Sequence, residues 1–382
     1  MDIFNLHSTP QRTKISNTRR WVVKIGSALL TEDGQGLNQA TLALWVQQMA
    51  EFAQNGRELV IVSSGAVAEG MSRMGWKTRP DTLQELQAAA AIGQMGLIHA
   101  YENCFQQHNR HTAQILVTRD DLTNRVRYLN ARSTLRTLLN LKVIPIVNEN
   151  DTVATDELRF GDNDTLAALI ANLIEADLLI LLTDQAGLFD CDPRFNPAAC
   201  LINETSVNDS RLDDFAGGSA SGLGRGGMIT KVRAARLAAR SGTATIITSG
   251  RGDQVLTRIH HGETVGTILT PVQNPQTAHK RWLAGHLKPA GTVTIDAGAV
   301  RSLRETGSSL LAVGVKSVTG NFQRGDVVIC VDEQNREIAR GLINYNVQET
   351  SRVMGQPSSK IRTILGYLDQ EELIHRDNLV IM

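Results

Sequence analysis

No apolar stretch in this 382-residue chain approaches the roughly 20 residues that would cross a bilayer, which sets aside a membrane-spanning protein. The formal net charge is +0, so there is no general attraction to nucleic acid or to acidic membranes. Only four cysteines occur, Cys104, Cys191, Cys200 and Cys330, and none forms a C-x-x-C pair. That argues against a zinc site and against a disulfide framework, and it fits a reducing, cytoplasmic setting. The string G-x-x-x-x-G-K-[ST] is also missing, which excludes the common P-loop. What the chain does have is 42% hydrophobic and 20% charged residues, enough to bury substantial cores and to make two domains at this length.

The first 19 residues differ from the rest. They are polar, carry Arg12, Lys14 and Arg19, with Arg20 directly after, against the single acid Asp2, and lack the apolar centre of a secretory signal. A disordered N-terminal extension is the expectation, with an organelle-targeting peptide as the alternative.

From there to about residue 250, strand-like and helix-like segments alternate. Short apolar runs lie at Trp21 to Ile25, Leu59 to Val62, Ile115 to Val117, Val143 to Val147, Leu178 to Leu182 and Thr245 to Thr248. Longer periodic stretches separate them, at Gln39 to Gln54, Leu86 to Gln107, Arg125 to Leu141, Thr165 to Ile174 and Ile229 to Ser241. Continuous hydrophobicity means strands buried on both faces. The pattern predicts an α/β protein, a three-layer α/β/α sandwich with a mainly parallel open sheet. Ligands of such sheets bind beyond the carboxyl ends of the strands. Polar residues and glycines gather at those ends: Lys24, Gly26 and Ser27; Ser63, Ser64 and Gly65; Asn148 to Asp151; Thr183, Asp184 and Gly187.

The most specific local signal is Ser221 to Lys231, SGLGRGGMITK. Glycines let main-chain N–H groups face an anion, a helix start adds unpaired donors, and a lysine one turn inside supplies charge. A phosphorylated ligand is the first expectation. GLGRGG also fits G-x-G-x-x-G, but the polar loop from Asp213 to Ala220 precedes it, where a dinucleotide fingerprint follows a buried strand. A second signal is Gly161-Asp162-Asn163-Asp164 at a helix start, which reads either as simple N-capping or as an acid ordering the lysines and magnesium while the amide and helix donors hold a polar substrate. Lys24, ending the run WVVKIG, can pack its stem in the core while its charge reaches the rim. Paired with Lys231, it would neutralise a phosphoryl group in flight.

Six ordered stretches, VVKIGS (22–27), VSSGAVAEG (62–70), VNENDTVAT (147–155), FGDND (160–164), LLTDQAGL (181–188) and GRGGMITK (224–231), together resemble the amino acid kinase family. More narrowly they resemble its branch that phosphorylates the γ-carboxylate of L-glutamate at the start of proline biosynthesis. The resemblance implies that ATP and Mg2+ take part, the metal held mainly by the nucleotide's phosphates with no firm protein ligand. It implies Lys24 and Lys231 as stabilisers of the moving phosphoryl group, with Asp162 orienting them. Ser64, Gly65, Asp151 and Asn163 would bind glutamate; Lys24, Thr183, Asp184, Arg225, Gly226, Gly227, Met228, Ile229, Thr230 and Lys231 would line ATP. Arg225 departs from the smaller or neutral residue expected there. A carboxylate is already a nucleophile at neutral pH, so no strong general base is needed. The resemblance further implies feedback inhibition by L-proline near the loop from Asn148 to Phe160, a homo-oligomer (dimer or tetramer), and hand-off of an unstable acyl phosphate to glutamate-5-semialdehyde dehydrogenase. Aspartate and N-acetylglutamate kinases of the same family are the alternatives.

Residues 272–290, rich in proline, glycine and polar side chains, read as a linker after a kinase domain spanning 20–271. Residues 291–382 show short strand-like runs, and GSSLLAVGVKSVTGNFQRGDVV (307–328) resembles a PUA domain. PUA modules are associated with RNA, and an RNA-binding role is the reading from another class. From 291 onward the chain has ten Lys and Arg against eleven Asp and Glu, so an RNA partner is not expected.

Overall fold

The computed structural model describes residues 10–31, 36–154, 163–217, 227–272 and 289–382. The chain divides into two compact units, residues 1–275 and 276–382.

Among the described residues of the first unit, eight strands form one sheet: β1 (Arg20–Ile25), β2 (Glu58–Ser63), β3 (Thr112–Val117), β4 (Ile144–Glu149), β5 (Leu178–Thr183), β6 (Glu204–Ser206), β7 (Ala244–Ser249) and β8 (Thr267–Thr270). Their order is β3-β4-β2-β1-β5-β7-β8-β6. All pairings are parallel except β7 with β8. The mainly parallel sheet expected from the apolar runs is therefore present, and the short β6 and β8 extend it beyond them.

Strand parity assigns the two faces. Trp21, Val23 and Ile25 of β1 join a core with the helices Gln39–Gln54, Leu83–Gln106 and Val255–His260, while Val22 belongs to the opposite core with Asn163–Ile174 and Met228–Ala238. Lys24 has the parity of Val22, so its side chain leaves the sheet toward the second pair of helices.

The expected disordered extension is corrected for residues 10–19. Residues Pro10–Ile15 form a helix, and Arg12 is 1% exposed. Its guanidinium donates to four main-chain carbonyls, those of Glu263 (3.0 Å), Val265 (2.9 Å), Asn203 (2.9 Å) and Gly266 (2.8 Å). These carbonyls lie in or beside a loop approach to β8, where a planar fork of donors can satisfy several at once. Arg12→Ala is expected to lower unfolding stability by about 2–3 kcal/mol in chemical denaturation, because the carbonyls lose their partner without gaining water. Residues 1–9 lie outside the described residues.

In the second unit five strands, β9 (Gly291–Ile295), β10 (Val315–Gly320), β11 (Val327–Val331), β12 (Glu337–Leu342) and β13 (Leu379–Ile381), run in the order β10-β9-β11-β12-β13. Val293, Ile295, Leu303, Phe322, Val328, Ile338 and Tyr345 fill its core. Most of the segment read as a linker, 273–288, lies outside the described residues.

Candidate functional site

Two helices each carry a charge at the head of a buried stripe. In Asn163–Ile174 the stripe runs Asp164, Ala167, Ala168, Ala171 and Ile174; in Met228–Ala238 it runs Lys231, Ala234, Ala235 and Ala238. Spacings of three, four and seven put each set on one helix face. The two helices pack together, and Lys24 comes up between them from β1. Lys24 Nζ lies 2.6 Å from Asp164 Oδ1, and Lys231 Nζ lies 3.0 Å from Asp164 Oδ2. The Thr230 hydroxyl donates to the same Oδ2 at 2.9 Å.

Asp164 is 0% exposed, and both lysines are buried. Burial alone would raise the Asp164 carboxyl, yet the ammonium groups of Lys24 and Lys231 outweigh it and hold the pKa at about 2. The cluster carries two positive charges and one negative charge, so a surplus cation is fixed at the carboxyl end of the central strands. That is an arrangement suited to an anion with several oxygens.

Strand order sets what lies on either side. Lys24 is in register with Val62 of β2 and Leu181 of β5. On the β2 side stand Ser63, Ser64 and, one strand further, Asn148. The Asn163 side-chain NH2 reaches the Ser63 carbonyl (3.1 Å), Ser64 Oγ (2.9 Å) and Asn148 Oδ1 (3.2 Å). Asn148 Nδ2 in turn donates to Gln94 Oε1 at 2.7 Å. Gly65 follows with φ +103° and caps the helix Ala66–Arg73, a conformation that favours glycine. Asp151 lies in the turn after β4 and lines a cavity of about 530 Å³ with Gln94, Glu149, Asn150 and Thr152.

On the β5 side, Thr183 ends the strand and its hydroxyl donates to Asp184 Oδ1 at 2.9 Å. Gly227 precedes the helix Met228–Ala238, whose Met228 and Ile229 N–H groups have no intrahelical acceptor among the described residues, while the Thr230 N–H donates to the Gly227 carbonyl at 3.1 Å. The structure thus brings Lys24, Lys231, Ser64 and Asn163 to one rim, with Thr183, Asp184 and Gly227 to Thr230 on it. Asp162, Arg225 and Gly226 lie outside the described residues.

Sequence reasoning missed three members. Asp164, not named for the role of orienting the lysines, is among the described residues the acid that contacts both. Its legible signal was a carboxylate heading an otherwise apolar stripe. Asn148 was noted only as a strand-end residue. Gln94 sits in the middle of the helix Leu83–Gln106, where nothing local marks it. Its Nε2 is buried with no acceptor among the described residues, a cost of about 1–3 kcal/mol that the fold accepts.

Residues 19–249 match the amino acid kinase family, and residues 291–365 match the PUA domain. Glutamate 5-kinase of Stutzerimonas stutzeri (strain A1501) is 61% identical over 371 residues, 97% of this chain and 100% of its own. Glutamate 5-kinase of Hahella chejuensis (strain KCTC 2396) is 59% identical over 382 residues, 100% of this chain and 99% of its own. Among solved structures, a UMP kinase from Bacillus anthracis aligns at 16% identity with a TM-score of 0.47, covering 67% of this chain and 97% of that one, and carries no weight at that score.

Proposed function

Because the chain belongs to the amino acid kinase family and matches glutamate 5-kinases along nearly its whole length, we propose that it transfers the γ-phosphoryl group of ATP to the γ-carboxylate of L-glutamate, giving L-glutamyl 5-phosphate and ADP. The observation that carries this reading is the Lys24–Asp164–Lys231 cluster, flanked by amide and hydroxyl groups on one side and a helix start on the other.

In this reading the acceptor binds at Ser64, Gly65, Asp151 and Asn163. The nucleotide binds at Thr183, Asp184 and the segment from Arg225 to Lys231. The γ-carboxylate attacks phosphorus in line, the bond to the β-phosphate oxygen breaks, and no proton has to be removed first. Lys24 and Lys231 meet the charge on the transferring oxygens, which is the main protein contribution to such a step. Asp164 holds the two ammonium groups at fixed positions and weakens their mutual repulsion. Asp162 is a further candidate for that role.

Among the described residues no group of three or more His, Cys, Asp or Glu side chains could hold a metal ion. In this reading Mg2+ would be held mainly by the nucleotide's phosphate oxygens, where it would supply charge neutralisation. The same reading includes a cytoplasmic enzyme of proline biosynthesis, inhibited by L-proline near the loop after β4, assembled as a dimer or tetramer, and passing its acyl phosphate to glutamate-5-semialdehyde dehydrogenase.

The test is ATP consumption against L-glutamate, L-aspartate, N-acetyl-L-glutamate and UMP, with hydroxylamine trapping the acyl phosphate. Hydroxamate from L-glutamate is expected; preferential turnover of another acceptor would reject the assignment. Asn163→Ala is expected to raise KM for L-glutamate about tenfold or more with a smaller change in kcat, in initial-rate measurements, because it removes a contact made before and during the reaction.

A further inference from the structure

We propose that Gln94 is a positioning residue for the acceptor, one that acts with the Ser63 carbonyl to hold the Asn163 amide in place with its oxygen toward the ligand. The proposal rests on the reading of Asn163 as an acceptor contact.

The polarity of three amides follows from one carbonyl. The main-chain oxygen of Ser63 can only accept, so the group 3.1 Å from it must be the Asn163 NH2. That NH2 then requires an oxygen on Asn148, at 3.2 Å, which turns the Asn148 NH2 toward Gln94. Gln94 meets it with Oε1 and is left holding a buried NH2 with no acceptor among the described residues. At the other end, nothing among the described residues donates to Asn163 Oδ1. The relay therefore presents an oxygen, and an oxygen takes a hydrogen bond of the kind an amino acid's ammonium gives.

Gln94 can hold this register because its helix cannot slide. The adjacent Gly93 packs so closely that a Cβ there would lie 1.8 Å from the Ala66 carbonyl oxygen, in the helix that starts directly after Ser64 and Gly65. Gln94 itself is 8% exposed. If its acceptor oxygen were removed, Asn148 could turn over, and Asn163 would lose one partner and be held by Ser63 and Ser64 alone.

Initial-rate kinetics of Gln94→Leu, Gln94→Glu, Asn163→Ala and the double variant Gln94→Leu/Asn163→Ala decide the matter, with far-UV circular dichroism and thermal unfolding confirming the fold. Gln94→Leu is expected to raise KM for L-glutamate about tenfold with kcat within about threefold. Gln94→Glu presents an acceptor oxygen to Asn148 whether ionised or protonated, and is expected to stay within about threefold of the parent. In the Asn163→Ala background the effect of Gln94→Leu should vanish, since a residue that acts only through another adds nothing once that one is gone. An unchanged KM in Gln94→Leu, an additive double variant, or a Gln94→Glu enzyme as impaired as Gln94→Leu would each overturn the proposal. If Gln94→Leu does not fold, Gln94→Glu alone decides by the same threefold limit. If Asn163→Ala itself leaves KM unchanged, the reading of Asn163 has failed, and Gln94 falls with it.

Discussion

Replacing Asp164 by alanine is expected to abolish phosphoryl transfer, to below about one part in 10³ of the parent kcat, and to destabilise the fold by about 3–5 kcal/mol. Asp164 is fully buried and is the common partner of two buried ammonium groups. Without it, Lys24 and Lys231 repel one another in a poorly solvated space and must either move apart or turn toward solvent. Either response takes a cation away from the place where charge develops. Asp164→Asn keeps the shape and separates the effects: activity should fall about as far, with a smaller loss of stability. Acid titration gives an independent check. The folded pKa of about 2 lies below the ordinary 3.8, so the ionised carboxylate stabilises the fold fully above 3.8, and this contribution disappears as pH falls toward about 2. Asp164→Asn should therefore lose less stability than the parent across that interval. Measured activity in Asp164→Ala within tenfold of the parent would remove this carboxylate from the mechanism.

Lys231→Ala is expected to lower kcat by about two orders of magnitude, on the order of 3 kcal/mol of transition-state stabilisation, with a lesser effect on KM for ATP. The reason is timing. Negative charge on the transferring oxygens grows between ground state and transition state, so a cation aimed there assists the chemical step more than binding. The fold should tolerate this change better than Asp164→Ala, because a one-to-one Lys24–Asp164 pair remains. Single-turnover mixing with hydroxylamine present would isolate the chemical step. A kcat within threefold of the parent would show that Lys231 serves packing alone.

Much of this was legible before any coordinates. Uninterrupted apolar runs located the long buried strands, because a strand covered on both faces has no need to alternate. Lys24 and Lys231 stood out as charges attached to core elements. The acid between them was harder. A helix start in GDND offers two carboxylates one turn apart at most, and capping logic favours the earlier one. The apolar stripe below Asp164 turns that carboxylate inward, and Asp162 lies outside the described residues. Arg12 was read as part of a disordered polar extension, since nothing in sequence announces four main-chain oxygens gathered nearly 200 residues or more further along. The pairing of Asn148 with Gln94 has the same character: hydrophobic periodicity tells which face of a helix is buried, and is silent about which polar groups find each other there.

The strand order has a kinetic consequence. Ser63 and Ser64 end or follow β2, Thr183 ends β5, and Lys24 stands on β1 between them. Neighbouring strands are about 4.8 Å apart, so donor and acceptor can occupy adjoining berths simultaneously, with neither having to vacate for the other. On the proposed reading the enzyme is expected to work through a ternary complex, with the group in transit crossing a gap of one strand spacing on either side and never becoming attached to the protein.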